Sequence, residues 1–256
     1  GAGWGAFAVQ GNHAVTQEQH GETECTVCYH ARTGAEIWRH RYAARFYDGF
    51  GGLGPRATPT IDADQVFAVG ATGVLSCLDL ATGEVRWSRD VLQDSGAANQ
   101  QYGVAGSPLV ARGMVIVCPT GQSGPTLAAY DRATGDRVWE TGTDRASYAS
   151  PVLADLGGTP QVVAYSSTQA AGFDVATGKR LWDFPWANSE GINASQPILH
   201  AGASNRVLVS TGYGTGAALF EVRRSDAGTL APEPLWTSRS LKTKFATPVC
   251  RGDRII

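Results

Sequence analysis

Long apolar runs are missing from this sequence. No stretch approaches the roughly 18 to 20 consecutive apolar residues that a membrane-crossing helix needs, so nothing in it reads as a helical span of a bilayer. An excess of either charge is missing too. The 21 Lys and Arg stand against 23 Asp and Glu, a formal net charge of -2, which gives no electrostatic case for nucleic acid or an anionic membrane surface. The five cysteines (25, 28, 77, 118 and 250) are an odd number without framework spacing, and the redox compartment stays open. There is no Gly-x-Ser-x-Gly nucleophile elbow. The glycine runs at 49–54 and 212–216 lack the strand-to-helix context of a phosphate loop and read as turns.

What the chain has in quantity is glycine, 32 residues, and a phrase that recurs. Cys77-Leu78-Asp79-Leu80-Ala81-Thr82-Gly83-Glu84-Val85-Arg86-Trp87 returns as 28–38 ending in Trp38, as 129–139 ending in Trp139 and as 172–182 ending in Trp182. The pattern is small-x-Asp-x-x-Thr-Gly-x-x-x-Trp. A degraded copy keeps only Pro234-Leu235-Trp236. The closing tryptophans recur every 43 to 54 residues, a period that belongs to propellers and solenoids. Asp and Thr side chains can bond the backbone of a tight turn, and Gly supplies the positive φ. The phrase therefore reads as a hairpin. Five of the seven tryptophans stand at its end, so each ring is expected to fill the interface between neighbouring repeats, its N–H finding a local acceptor.

A second word opens each repeat: Ala57-Thr58-Pro59, Gly106-Ser107-Pro108, Ala149-Ser150-Pro151, Ser195-Gln196-Pro197 and Ala246-Thr247-Pro248, with Gly5-Ala6-Phe7 a sixth without its proline. Proline is tolerated at the first residue of a strand, where no ladder donor is needed. Two apolar arms lie between opening and closing words, giving four short antiparallel strands per repeat. The expectation is an all-β chain forming one β-propeller domain over 1–256, with blades at 4–38, 57–87, 106–139, 149–182 and 195–236 and a further blade started at 246–256. From these residues alone the ring is not expected to close. About five and a half blades of an eight-bladed ring are expected, and eight blades would need on the order of 380 residues. The longest connections, 39–56 and 88–105, should carry function.

The repeated phrase resembles the tryptophan-docking motif of the PQQ-like β-propellers, the superfamily of quinoprotein alcohol dehydrogenases and of the propeller lipoprotein of the outer-membrane β-barrel assembly machine. The resemblance covers essentially the whole chain. It implies either a non-catalytic scaffold that presents loops or sheet edges to another polypeptide, or a dehydrogenase holding PQQ with calcium. It also implies a periplasmic or secreted location. The dehydrogenase apparatus includes carboxylate ligands and often adjacent cysteines, and this sequence has neither a Cys-Cys pair nor an acid directly before an opening word. The scaffold is the reading taken first; the quinoprotein oxidising an alcohol or sugar, and a ligand-sensing propeller of a larger protein, remain beside it.

The residues just ahead of the opening words should converge on one face. They are Trp4, Arg56, Tyr102, Tyr148, Asn193, Lys242 and Lys244. Arg and Lys could meet the carboxylates of an acidic or quinone ligand such as PQQ, and Tyr or Trp could stack on its rings. They could equally be polar loop residues lining a wet channel. Cys25-Thr26-Val27-Cys28-Tyr29-His30 lacks the spacing of a haem attachment and the second ligand pair of a zinc site. By register Cys28 holds the small position and His30 stands where other copies have Asp. No catalytic residue and no metal ligand is assigned.

Overall fold

The computed structural model describes residues 1–119, 121, 123–199, 204–251 and 254–255. Among them are five four-stranded antiparallel sheets, each with its strands in chain order. The first is β1 (Ala8–Gln10), β2 (His13–His20), β3 (Thr23–His30) and β4 (Glu36–Ala43). A small hairpin follows, β5 (Tyr47–Asp48) with β6 (Gly52–Leu53). The second sheet is β7 (Thr60–Asp62), β8 (Gln65–Val69), β9 (Val74–Asp79) and β10 (Val85–Asp90), after which comes the one-turn helix α1 (Val91–Ser95). The third is β11 (Leu109–Ala111), β12 (Met114–Val117), β13 (Leu127–Asp131) and β14 (Arg137–Thr141). The fourth is β15 (Val152–Leu156), β16 (Thr159–Tyr165), β17 (Gln169–Asp174) and β18 (Arg180–Pro185). The fifth is β19 (Ile198–Leu199), β20 (Arg206–Thr211), β21 (Gly216–Arg224) and β22 (Leu230–Ser238). A two-stranded start of another sheet, β23 (Cys250–Arg251) and β24 (Arg254–Ile255), ends the described chain. The expected sixth repeat at 246–256 falls partly outside the described residues.

These are the four-stranded blades of a β-propeller. Backbone contacts divide the chain into two compact units, residues 1–124 with 128–138, and residues 125–127 with 139–256. In every sheet the closing strand runs on past its tryptophan, to Ala43 after Trp38 and to Asp90 after Trp87. The blades are therefore longer than the phrase that marks them.

The phrase works locally as its residue types require. Asp79 Oδ1 accepts from the backbone N–H of Ala81 and Thr82 at 2.9 and 3.0 Å, and Gly83, at φ +75°, donates to the Asp79 carbonyl. Asp131 and Asp174 repeat the arrangement. His30 substitutes for the missing Asp: its Nδ1 accepts from the Arg32 N–H at 3.3 Å. One residue before Trp38, Trp87, Trp182 and Trp236 the strand carries a β-bulge, and the four indoles then face Cys28, Cys77, Gly172 and Leu219 across the ladder. A bulge re-aims a side chain. Opposite Trp38, Trp87 and Trp182 a small residue leaves room for the ring, which is why Cys28 and Cys77 are buried free thiols packed in the core.

In the first unit Trp38 lies over Gly83 of the next repeat and Trp87 over Gly135, so close that a Cβ on either glycine would come within 2.6 or 2.7 Å of the ring. The Trp38 Nε1 donates to the Leu80 carbonyl at 2.8 Å, and the Trp87 Nε1 to the Arg132 carbonyl at 3.0 Å. In the second unit Trp139 lies over Gly178, where a Cβ would come within 2.8 Å of the ring, but the Trp139 Nε1 has no acceptor among the described residues, against the expectation for it. Trp182 differs. No Thr-Gly turn exists between β21 and β22, and its ring meets the buried Phe220 edge-on at 5.5 Å instead.

Candidate functional site

Of the long connections, residues 39–56 include a small hairpin of their own. β5 and β6 close a hairpin whose Asp48-Gly49-Phe50-Gly51 tip is an Asx-type turn. Asp48 Oδ1 accepts from the N–H of Phe50 at 2.8 Å and of Gly51 at 2.6 Å, and its Oδ2 takes the Arg56 Nη2 at 2.5 Å. Both members of this ion pair are buried. Burial pushes the Asp48 carboxyl up, but those two amides and the guanidinium outweigh it and hold it below its ordinary value.

Arg56 is saturated. Its Nε donates to the Tyr102 carbonyl, Nη1 to the carbonyls of Gly51 and Leu53, and Nη2 to Gly52 as well as Asp48. A guanidinium has five N–H donors, and here each has an acceptor. Trp4 joins the same knot, its Nε1 donating to the Gly51 carbonyl at 2.6 Å and its backbone N–H to Pro55. Three of the predicted site residues, Trp4, Arg56 and Tyr102, are thus brought together, with Arg56 as the pin of a loop. Around the pin, Phe50 is 83% exposed, Tyr47 and Trp4 are each 61% exposed, and Leu53 is exposed beside them.

Asn193 in the second unit is likewise a bolt. It is fully buried; its Nδ2 donates to the carbonyls of Ser166 and Ser167, its Oδ1 accepts from Asn188, and its backbone N–H bonds the Ser147 hydroxyl at 2.7 Å. Tyr148 is tied to it, the Tyr148 N–H donating to the Asn193 carbonyl. Lys242 and Lys244 are exposed, and the Lys244 Nζ lies 4.6 Å from the centre of the Tyr213 ring.

PQQ with calcium would need free cationic donors for its carboxylates and a set of acidic ligands for the ion. The Arg56 guanidinium and the Asn193 amide have no donor left, and among the described residues no three of His, Cys, Asp and Glu come together as a metal site. Arg56 and Asn193 therefore do not fit that group. Cys25 and Cys28 are free and buried, and the Cys28 thiol is raised by burial, the opposite of a reactive thiolate.

Sequence reasoning missed two things. Asp48 went unnamed, although Asp followed by Gly-Phe-Gly-Gly is a turn signal. The hydroxyl before each opening proline also went unread. The Thr58 Oγ1 accepts from the Ala6 N–H, the Ser107 Oγ from the Thr58 N–H, and the Thr247 Oγ1 from the Gln196 N–H, so one repeat's word bonds the previous one's. The signal was the column Thr58, Ser107, Ser150, Thr247.

Residues 23–256 match the family described as outer membrane protein assembly factor BamB. The chain belongs to that family. A BamB of Shewanella oneidensis is 28% identical over 145 residues, 55% of this chain and 35% of that protein. The crystal structure of BamB from Moraxella catarrhalis has a TM-score of 0.60 at 22% identity, over 94% of this chain and 61% of that one. Quinohemoprotein alcohol dehydrogenase from Comamonas testosteroni has a TM-score of 0.62 at 15% identity, over 90% and 45%. Both likenesses show the propeller fold. This chain spans 35% of the length of the curated BamB relative and 61% of the BamB crystal structure. Among the described residues no helix is long and apolar enough to cross a membrane.

Proposed function

We propose that the protein is a non-catalytic scaffold of the periplasmic cell envelope that holds another polypeptide during outer-membrane protein assembly, a reading supported by its family's name, outer membrane protein assembly factor. The observation that carries this reading is the β5–β6 hairpin. Interface energy concentrates in a few aromatic anchors, and anchors held rigid before binding lose less freedom on association. Phe50, Tyr47 and Trp4 are such anchors, on a loop whose only buried charges neutralise each other. The dehydrogenase reading gains no support from Arg56, whose donors are spent.

The test is a photo-crosslinking residue placed at position 50 in cells. One polypeptide of defined mass is expected, and the crosslink should be lost in Tyr47→Ala, which removes an anchor, and weakened in Asp48→Asn, which loosens the hairpin without touching its surface. No crosslink, or dye-linked alcohol oxidation after reconstitution with PQQ and Ca²⁺, would overturn the proposal. Asp48→Asn should also cost about 3 to 5 kcal/mol at neutral pH, because it leaves the Arg56 charge buried and unpaired. The sign with pH follows from a carboxyl lowered by folding. The wild-type advantage is full above the ordinary carboxylate value and fades as pH falls through the lowered one; unfolding curves of both proteins from pH 7 to pH 2 check it.

A further inference from the structure

In the second unit a cleft of about 780 Å³ opens between the end of β18, the β20–β21 turn and the end of β22. That volume is typical of a small-molecule site, about 300 to 1,000 Å³. Trp186 and Tyr213 line it with Ser189, Thr215, Ser238 and Arg239.

Tyr213 stands at φ +54°. Few bulky residues adopt the left-handed region, and an outlier there points from strain toward use. Glycine would sit at this turn without strain, and its neighbours Gly212 and Gly214 show that the turn accepts glycine. The chain places a tyrosine there instead and secures it. The Thr215 Oγ1 donates to the Ala187 carbonyl at 3.2 Å, and Lys244 lies against the ring. Trp186 is fixed too, its Nε1 donating to the Gly216 carbonyl at 3.2 Å. The cleft therefore has two anchored aromatic walls, a set of hydroxyls along its rim, and one cation, Arg239. Among the described residues neither Arg239 nor Lys244 has a carboxylate partner.

We propose that this cleft binds a saccharide that carries an acidic group. Sugar rings present C–H faces to aromatic walls and hydroxyls to Ser and Thr, and a carboxylate answers Arg239 in a two-pronged hydrogen bond. The Ser189 and Thr215 hydroxyls donate to Glu190 and to the Ala187 carbonyl, which leaves their oxygens to accept from the hydroxyls of a sugar. A bare inorganic anion would leave both rings uncovered. The site is separate from the hairpin that carries the scaffold reading, and neither depends on the other.

Calorimetric titration of the purified protein with trigalacturonic acid, maltotriose and inorganic phosphate tests it. The acidic trisaccharide should bind with a Kd below about 1 mM, and the neutral one at least about tenfold more weakly. Tyr213→Gly should weaken the acidic ligand by about tenfold or more while the melting temperature stays or rises, since glycine relieves the strained φ. The exposed Arg239→Gln should fold normally and remove the preference for the acidic sugar. No binding of trigalacturonic acid up to about 10 mM would overturn the proposal. So would equal binding of the two trisaccharides, binding of phosphate alone, or wild-type affinity in Tyr213→Gly.

Discussion

Trp87 in the second sheet and Trp236 in the fifth stand at the same place in the repeated phrase, each one residue after a bulge in its closing strand. Trp87 faces Cys77 across the ladder, reaches over Gly135 and is 7% exposed. Trp236 faces Leu219 and is 40% exposed. The same bulge and the same indole thus stand buried in one place and half-open in the other. What buries Trp87 is the receiving glycine. It must hold a positive φ and present bare backbone, because the ring occupies the space where a Cβ would be.

The comparison can be broken first at Trp182, which has lost its glycine and leans on Phe220. If Phe220 has taken over the receiving role, Phe220→Ala should cost about 3 to 5 kcal/mol through the cavity left behind, measured by denaturant unfolding. A cost below about 1 kcal/mol would mean that the fifth sheet holds Trp182 in some other way. Next comes the glycine itself. Gly135→Ala adds an ordinary αL penalty and a collision with the indole, together about 2 to 4 kcal/mol. Gly158 has nearly the same φ, +70°, with nothing within 4 Å of its would-be Cβ, so Gly158→Ala should cost only about 1 to 2 kcal/mol. Equal costs would remove the ring from the account. The smallest effect lies at His30. His30→Asp restores the residue of the other copies and should raise stability by about 0.5 to 1 kcal/mol, seen as a higher melting temperature; a lower one would show that His30 does more than cap its turn.

The hairpins, the sheet order and the small position opposite Trp38, Trp87 and Trp182 were legible in the sequence because they are local. Asp79, Thr82 and Gly83 act on backbone within five residues of themselves. The fifth sheet was legible only as a loss. Its phrase ends in an extended hairpin that grips the fourth sheet, with the Arg224 Nε donating to the Gly157 carbonyl and Leu230 packed against Gly157. No short-range signal announces contacts across 67 residues. The site was half legible. Position ahead of the opening words brought Trp4, Arg56 and Tyr102 together, but position does not say what donors a side chain has left. Arg56 is spent on five acceptors, one of them the Tyr102 carbonyl 46 residues away, and only the folded chain shows it.

One measurement tests the central claim most directly: equilibrium unfolding of Trp87→Ala beside the wild type. Seating on a glycine of the next repeat predicts a loss of about 3 to 5 kcal/mol. A loss below about 1 kcal/mol would contradict it.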